Sequence, residues 1–390
     1  MIKEIALLSP IYVTFFWAIV FLVRKNDSDK PKSYLGVLMF VAFMLYCSHA
    51  VFFSGLYHFY SYIESVYILS MLSVYPLYFL YILFSTTDNP GIKKQILHFI
   101  PALVLGILSL LTTFLLNTDE RIFYVQDTLV EKNLKGLNWN TIIGVKGHIF
   151  FISRAVFIIQ VVIYAFMGIK IANLHNKRVA NYYSNIEGKT LSWVRDLNIV
   201  IVLAAVAGIV FSFIGRSYFT HHSISLLIPS FIFSAILFGI GYNGNKQRPI
   251  LEAIIEKSQH ASETISSKLS HETVLKEELI QLFEKEKIYK HCDLRITNVC
   301  ESLNTNRTYI SRMINDDFDM NFNEFVNKYR LREAKELLAS HDNNLYTMEY
   351  IAEKSGFGSV ASFSRVFKES EGITPGKYRE MQKSEKAQKH

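Results

Sequence analysis

Seven apolar runs fill the first 244 residues, and each is close to the length a helix needs to cross a bilayer. They are Ile5 to Val23, Tyr34 to Leu56, Ile63 to Phe84, Ile96 to Leu116, Ile149 to Ile171, Leu197 to Ile214 and Ser223 to Tyr242. About 20 mainly apolar residues span the hydrocarbon core, and in lipid a chain must satisfy its own backbone groups, which favours helices. The runs therefore predict an all-α chain that begins with a seven-helix transmembrane bundle. Pro76 and Pro229 fall inside runs, a placement membrane helices tolerate when neighbours satisfy the freed carbonyl. The first run lacks a basic start and a small-residue cleavage site, which argues against a removable signal peptide.

Composition locates the boundary. Half of the chain is hydrophobic and 19% is charged, against about 25% in soluble domains. Charges are sparse before Gly244 and recur every few residues after it. Three regions are expected: a transmembrane sensor over 1–244, a helical linker over 245–284, and a polar domain over 285–390. The formal charge of +7 is divided between the two halves and does not mark a single basic patch. Cys47, Cys292 and Cys300 form no disulfide framework and are expected to be small buried hydrophobes.

Loop charges set a direction. The first loop carries Arg24, Lys25, Lys30 and Lys32, the third Lys93 and Lys94, and the fifth Lys177, Arg178, Lys189 and Arg195. The second carries no Lys or Arg, and the fourth mixes Arg121, Lys132, Lys135 and Lys146 with four acids. This alternation puts the odd loops inside, the N-terminus outside and the polar C-terminal region in the cytoplasm of a bacterial inner-membrane protein.

The polar half starts with two amphipathic stretches. Ile250 to Leu269 reads as a short, weak coiled coil interrupted at Ser258 and Lys268; Glu272 to Lys287 carries Leu275, Leu279, Leu282 and Phe283 on one face. A weak internal repeat follows. Val299 to Phe325 aligns with Ile351 to Tyr378, so that Asn304 meets Gly356 and Arg312 meets Arg365. Each copy reads helix, tight turn, helix. Thr347 and Ser359 are expected caps, Thr374 and Pro375 start the last helix, and Gly356 and Gly372 end helices in the left-handed region. Asn304 and Asp319 stand at the matching places of the first copy, and both residue types tolerate positive φ.

At 100° per residue, Phe363 and Phe367 should pack inward on Ile351 and Ala352, leaving Ala361, Ser364, Arg365 and Lys368 facing out. In the first copy Ile310 and Ile314 face in, leaving Thr308, Ser311, Arg312 and Asn315. These are the same four positions in each repeat. Small polar groups around one arginine suit a major groove, where Arg bonds guanine bidentately and Ala or Thr methyls touch thymine. Arg312, Arg365 and Lys368 are expected to have no acidic neighbour on that side. Between the copies, Asn321 to Ser340 reads as one helix about 30 Å long, close to the spacing of about 34 Å between successive major grooves. Its Lys328, Arg330, Arg332 and Lys335 are available for phosphates.

These residues carry a resemblance. Arg330 to Leu338 (RLREAKELL), Ile351 to Phe357 (IAEKSGF), Ser362 to Lys368 (SFSRVFK) and Gly372 to Arg379 (GITPGKYR) resemble the double helix-turn-helix DNA-binding domain of AraC/XylS-family transcription regulators. The resemblance covers about a quarter of the chain, from Lys285 to Met381, and implies that Thr308, Ser311, Arg312, Ala361, Ser364 and Arg365 face DNA. The whole architecture is similar to membrane-anchored regulators of that family with a multi-span N-terminal half.

In the membrane half, His49, Glu64 and Arg154 are ionisable residues at depth and hence candidates for ligand sensing. Arg216 and His221 border the same outer surface. An outward-open pocket for a small or lipid-like signal is one reading. The other is that Arg154 snorkels, Glu64 is interfacial and His49 bonds a neighbouring backbone. No phosphate-binding glycine loop, H-E-x-x-H or Cys-x-x-Cys pattern occurs, so no enzyme, metal or cofactor is expected. The expected function is a membrane-anchored, sequence-specific transcription regulator whose partners are promoter DNA, the bilayer, an extracytoplasmic or membrane signal and a second copy through linker contacts. The alternative is a seven-helix receptor or transporter whose cytoplasmic tail binds a protein.

Overall fold

The computed structural model describes residues 2–23, 30–87, 91–133, 138–191, 193–195, 198, 218, 223–246, 270–340 and 346–387. Among these residues the fold is all-helical. No strand forms, and an isolated antiparallel bridge joins Tyr183 to Arg295. The chain divides into two compact units, Met1–Asn173 with Leu191–Leu251, and Leu174–Thr190 with Glu252–His390.

In the first unit, six helices among the described residues are long and apolar enough to cross a membrane: Lys3–Val23, Pro31–Phe53, Tyr57–Thr86, Ile96–Leu115, Ile142–Ala180 and Leu227–Lys246. They coincide with six of the seven apolar runs. The remaining run, Leu197 to Ile214, lies outside the described residues apart from Asn198, which is helical. Tyr57–Thr86 is the central helix, with 72% of its apolar window buried against 22–39% in the other five.

Beside its apolar core clusters, this unit exposes large apolar side chains and buries several polar ones. Phe16, Phe114, Val162, Phe166 and Ile228 are exposed, whereas Ser70, Ser109, Thr113, Ser153, Glu64 and Lys146 are buried. Buried hydroxyls return their hydrogen bonds to their own helix, as in Thr14 Oγ1 to Pro10 O (2.7 Å), Ser85 Oγ to Tyr81 O (2.7 Å) and Thr113 Oγ1 to Ser109 O (2.8 Å). That pattern satisfies small polar side chains without water.

The fourth loop is shorter than its charge pattern suggested. Asn117 and Glu120 form a capping box that starts the helix Thr118–Phe123, which continues as a π-helical turn over Tyr124–Val130. The next helix begins at Ile142, where the Thr141 hydroxyl accepts from Gly144 N (3.1 Å). Lys146 therefore stands inside a helix rather than in a loop.

The second unit holds Ser270–Glu284, two helix pairs and the helices that connect them. The first pair is Ile296–Ser302 with Arg307–Phe318, the second Met348–Lys354 with Val360–Glu371; Phe322–Ala339 lies between them and Pro375–Ala387 closes the domain. The expected coiled coil, Ile250 to Leu269, lies outside the described residues. Side-chain caps explain the helix starts. Asn306 accepts from Tyr309 N, Asn321 forms a capping box with Glu324, Thr347 accepts from Tyr350 N, Ser359 from Ser362 N and Thr374 from Lys377 N. Each such cap contributes about 1 kcal/mol.

The stops repeat as well. Gly356 (φ +87°) ends the first helix of the second pair, and Asn304 (φ +46°) stands at the corresponding place in the first pair. Gly372 (φ +74°) and Asp319 (φ +52°) close the second helices. A side chain at Gly356 would also press on the Tyr289 carbonyl, since a Cβ there would lie 2.4 Å from that oxygen. Phe363 and Phe367 pack with Ile351, Ala352, Leu331, Ala334 and Leu338 in one core.

Candidate nucleic-acid interface

The second helices of the two pairs present matching surfaces. On Arg307–Phe318, Ile310 and Ile314 are buried; on Val360–Glu371, Phe363 and Phe367 are buried. The opposite sides hold Thr308 exposed, Ser311 half-buried, and Arg312 and Asn315 exposed; then Ala361 exposed, Ser364 half-buried, and Arg365 and Lys368 exposed. All eight residues read from sequence thus sit on two faces with the same sequence of exposure, four per helix.

One expectation about these faces is corrected. Arg312 Nε lies 3.2 Å from Asp316 Oδ2, and Arg365 Nη1 lies 3.5 Å from Glu369 Oε1, so each arginine has an acid four residues on. The i,i+4 spacing brings one helical turn's side chains together. Both pairs are largely exposed, and exposed pairs of this kind contribute about 0.3–0.5 kcal/mol. A bidentate arginine–guanine contact discriminates by about 1–3 kcal/mol, more than an exposed pair of this kind contributes.

The linker helix is a second correction. Arg330 is 1% exposed and faces no phosphate. Its guanidinium donates to Tyr289 O (2.8 Å), His291 O (2.8 Å) and Ser184 Oγ (3.1 Å). Burial pulls its pKa down to about 10. Arg332 is paired with Glu284 (3.5 Å) and Lys335 with Glu371 (2.7 Å), while Lys328 is exposed. Glu333, on the same helix, takes Lys287 (2.9 Å), Lys290 (2.6 Å) and the Tyr289 hydroxyl (2.9 Å). Burial opposes its ionisation, but those three donors outweigh it and hold the carboxyl at about 2. Arg330 and Glu333 together fasten the turn Ile288–Lys290 to the linker helix, ahead of the first helix pair. The signal for Arg330 was present in the sequence: its i−4 and i+4 neighbours are Val326 and Ala334, both buried, so it lies within the apolar stripe.

The three membrane-half candidates do not form one site. Glu64 is fully buried, with Lys146 Nζ 2.8 Å from one carboxylate oxygen and the Tyr124 hydroxyl donating to the other at 2.7 Å. It is closed off from solvent inside the helical bundle. Lys146 also donates to Thr113 Oγ1 (2.7 Å). Nearby, Arg121 donates to the Tyr62 hydroxyl (3.0 Å) and Thr113 O (3.2 Å). Arg154 donates to the Tyr67 hydroxyl (3.3 Å) and lies over the Phe150 ring; the His49 ring lies tilted against Tyr67, with centroids 5.2 Å apart. Tyr67 thus links His49 to Arg154, while Glu64 belongs to a separate ion pair. Sequence reasoning missed Lys146, Tyr124 and Tyr67. Arg216 and His221 lie outside the described residues.

Among the described residues no group of His, Cys, Asp and Glu could hold a metal ion. Of the cysteines only Cys300 is buried; Cys47 is half-buried and Cys292 exposed, because Cys292 sits in the turn before the first helix pair rather than in a helix.

Comparison with known proteins bears on the C-terminal part. Residues 299–381 match the family described as "Helix-turn-helix domain". Similar proteins include the uncharacterized HTH-type transcriptional regulator YtdP of Bacillus subtilis, 35% identical over 92 residues, which are 24% of this chain and 12% of that protein. An uncharacterized HTH-type transcriptional regulator of Staphylococcus aureus is 29% identical over 111 residues, 28% of this chain and 14% of its own. The regulatory protein PocR of Salmonella typhimurium is 31% identical over 88 residues, 23% of this chain and 28% of its own. The chain spans 12–28% of the length of these relatives. No solved structure matches it.

Proposed function

We propose that this chain, which ends in an AraC-type helix-turn-helix DNA-binding domain, is a membrane-anchored regulator that reads DNA with two helices at once. The observation that carries the reading is the repeated face: Thr308, Ser311, Arg312 and Asn315 on one helix, and Ala361, Ser364, Arg365 and Lys368 on the other, with the same exposure at each position. Arg312 and Arg365 read guanine edges, the small residues admit the backbone of the groove, and Lys368 and Lys328 take phosphates.

Anchoring is supported by the six long apolar helices of the first unit and by the apolar side chains on its surface. Contiguous apolar surface of this kind is costly in water and neutral in lipid. The orientation follows from basic charge in the odd loops. It is strengthened by Lys146 and Arg121, whose burial against Glu64 and Tyr62 removes two cations from the free charge of the fourth loop. The N-terminus then lies outside and the DNA-binding domain in the cytoplasm of an inner membrane. The signal enters on the outer side, near Tyr67, His49 and Arg154, as a small or lipid-like molecule.

Two measurements test this. Fractionation after a high-salt wash should leave the full-length protein in the membrane, and mapping of its DNA contacts in cells should give discrete sites. Release from the membrane would end the anchoring half of the proposal. A protein that stays in the membrane and occupies no discrete DNA site would favour a cytoplasmic tail that binds a protein.

A further inference from the structure

The second unit contains a segment from elsewhere in the chain. Residues 174–190, between the fifth and sixth apolar runs, cluster with the DNA-binding domain. Tyr182, Tyr183 and Ser184 are buried there. The backbone is joined by Ser184 N to Leu294 O (3.0 Å) and Ile296 N to Tyr182 O (3.0 Å), which make the bridge between Tyr183 and Arg295. Ser184 also accepts from Arg330 and from Asn323, both on or at the linker helix. The loop thus touches the start of the first helix pair and the helix connecting the pairs.

It also reaches the beginning of both reading helices. The Arg307 guanidinium, at the first position of Arg307–Phe318, lies 5.2 Å from the Tyr182 ring centroid. Ser359, the N-cap of Val360–Glu371, donates its hydroxyl to Glu187 Oε2 (2.9 Å) while accepting from Ser362 N (3.0 Å). Asn185 sits so close to Gly358 that a Cβ there would lie 2.6 Å from its amide nitrogen. Both contacts oppose DNA. Helix N-termini are common partners of backbone phosphates, and a carboxylate at that end occupies the favourable field and repels a phosphate. An arginine stacked on a buried tyrosine is withheld from the same phosphates.

We propose that the loop 181–190 is a built-in inhibitor of DNA binding, docked on the DNA-binding domain in the state seen here and displaced when DNA is bound. Its position in the chain makes it a transmitter. The chain enters it from the helix Ile142–Ala180 and leaves it at Leu191, where the first unit resumes. A shift of either flanking segment therefore pulls on the loop. The coupling follows from differential contact: whatever favours the undocked loop favours the DNA-bound state.

This inference rests on the DNA-binding reading, and the test separates the two. Full-length wild type and Glu187→Gln are reconstituted in lipid nanodiscs, and their affinities are measured for a duplex recovered from the sites occupied in cells. Hydrogen exchange is followed over residues 181–190 and at Ile296 with and without that duplex. Glu187→Gln keeps the shape of the side chain and its bond to Ser359 while removing the charge. It should bind about two- to five-fold tighter, the size of one screened charge at a helix end, and DNA should abolish protection of the Ser184 and Ile296 amides. Wild type that binds while Glu187→Gln binds equally or more weakly, or a loop that stays protected in the complex, overturns the inhibitor and leaves a structural brace. Wild type that binds no duplex overturns the DNA-binding reading itself.

Discussion

Replacing Arg330 by methionine keeps most of the side chain's bulk and removes a guanidinium that three neutral oxygens surround at 2.8, 2.8 and 3.1 Å. Hydrogen bonds to a charged group contribute about 1.5–3 kcal/mol each, so three contribute about 4.5–9 kcal/mol. Against this stands the desolvation of the cation. Burial lowers its pKa from 12.5 to about 10, a cost of a few kcal/mol that offsets part of this gain. The net stabilisation is about 1–6 kcal/mol, and the substitution also leaves the Tyr289 and His291 carbonyls buried without a donor. A loss of about 3 kcal/mol is the central expectation, or about 6–12 °C in a unit of about 150 residues. The readout is thiol alkylation of Cys300, buried in the first helix pair, resolved by peptide mass spectrometry in the full-length protein as temperature rises. Arg330→Lys, which lacks the planar fork, should recover less than half of the loss. An Arg330→Met midpoint within about 2 °C of wild type would refute the argument that this cation organises the domain.

Three further outcomes follow from the same structure. Glu333 has a folded pKa of about 2 against an ordinary 4.5, so its stabilisation is complete above about pH 4.5 and is lost as pH falls from there through 2. Glu333→Gln should flatten the acid side of the unfolding midpoint between pH 5 and 3, followed by hydrogen exchange over Phe322–Ala339 because a protonated thiol does not alkylate; an unchanged slope would assign the acid sensitivity elsewhere. Lys146→Met should destabilise the detergent-solubilised protein by about 3–5 kcal/mol, because it leaves the Glu64 charge buried without its cation. The double variant Glu64→Gln/Lys146→Met should recover most of that in thermal melts, and a double variant as unstable as the single one would show that the pair is not the cause. Gly356→Ala, which combines φ +87° with a Cβ 2.4 Å from the Tyr289 carbonyl, should lower the Cys300 midpoint, whereas Asn304→Gly, at φ +46°, should raise it or leave it unchanged.

What could be read from sequence was what is local. The spans follow from run length, and the caps at Thr347, Ser359 and Thr374 follow from single residues placed before apolar periodicity. The left-handed stops at Asn304 and Asp319 follow from their register with Gly356 and Gly372. The two reading faces follow from 3.6-residue geometry once the repeat is seen. Arg330 was misplaced because its residue type was read before its position in the stripe. The acids at Asp316 and Glu369 were overlooked although an i,i+4 pair is legible in any helix. Lys146 was counted as loop charge because the apolar run begins three residues after it, while the helix begins four before it. The docking of residues 181–190 had no local signature. It depends on Ser184 meeting Arg330 146 residues away, and no periodicity encodes such a contact.

The central claim is that two helices read one DNA site together, and base-resolved binding tests it most directly. Full-length wild type, Arg312→Ala and Arg365→Ala would be titrated against a library of single-base variants of an occupied site at fixed salt. Each substitution should weaken binding about 5- to 150-fold, the equivalent of about 1–3 kcal/mol. Each should also relax preference at its own base position, with the two positions about one helical turn, 10–10.5 base pairs, apart. A uniform weakening with base preferences intact, or relaxation at the same position by both substitutions, would contradict the account.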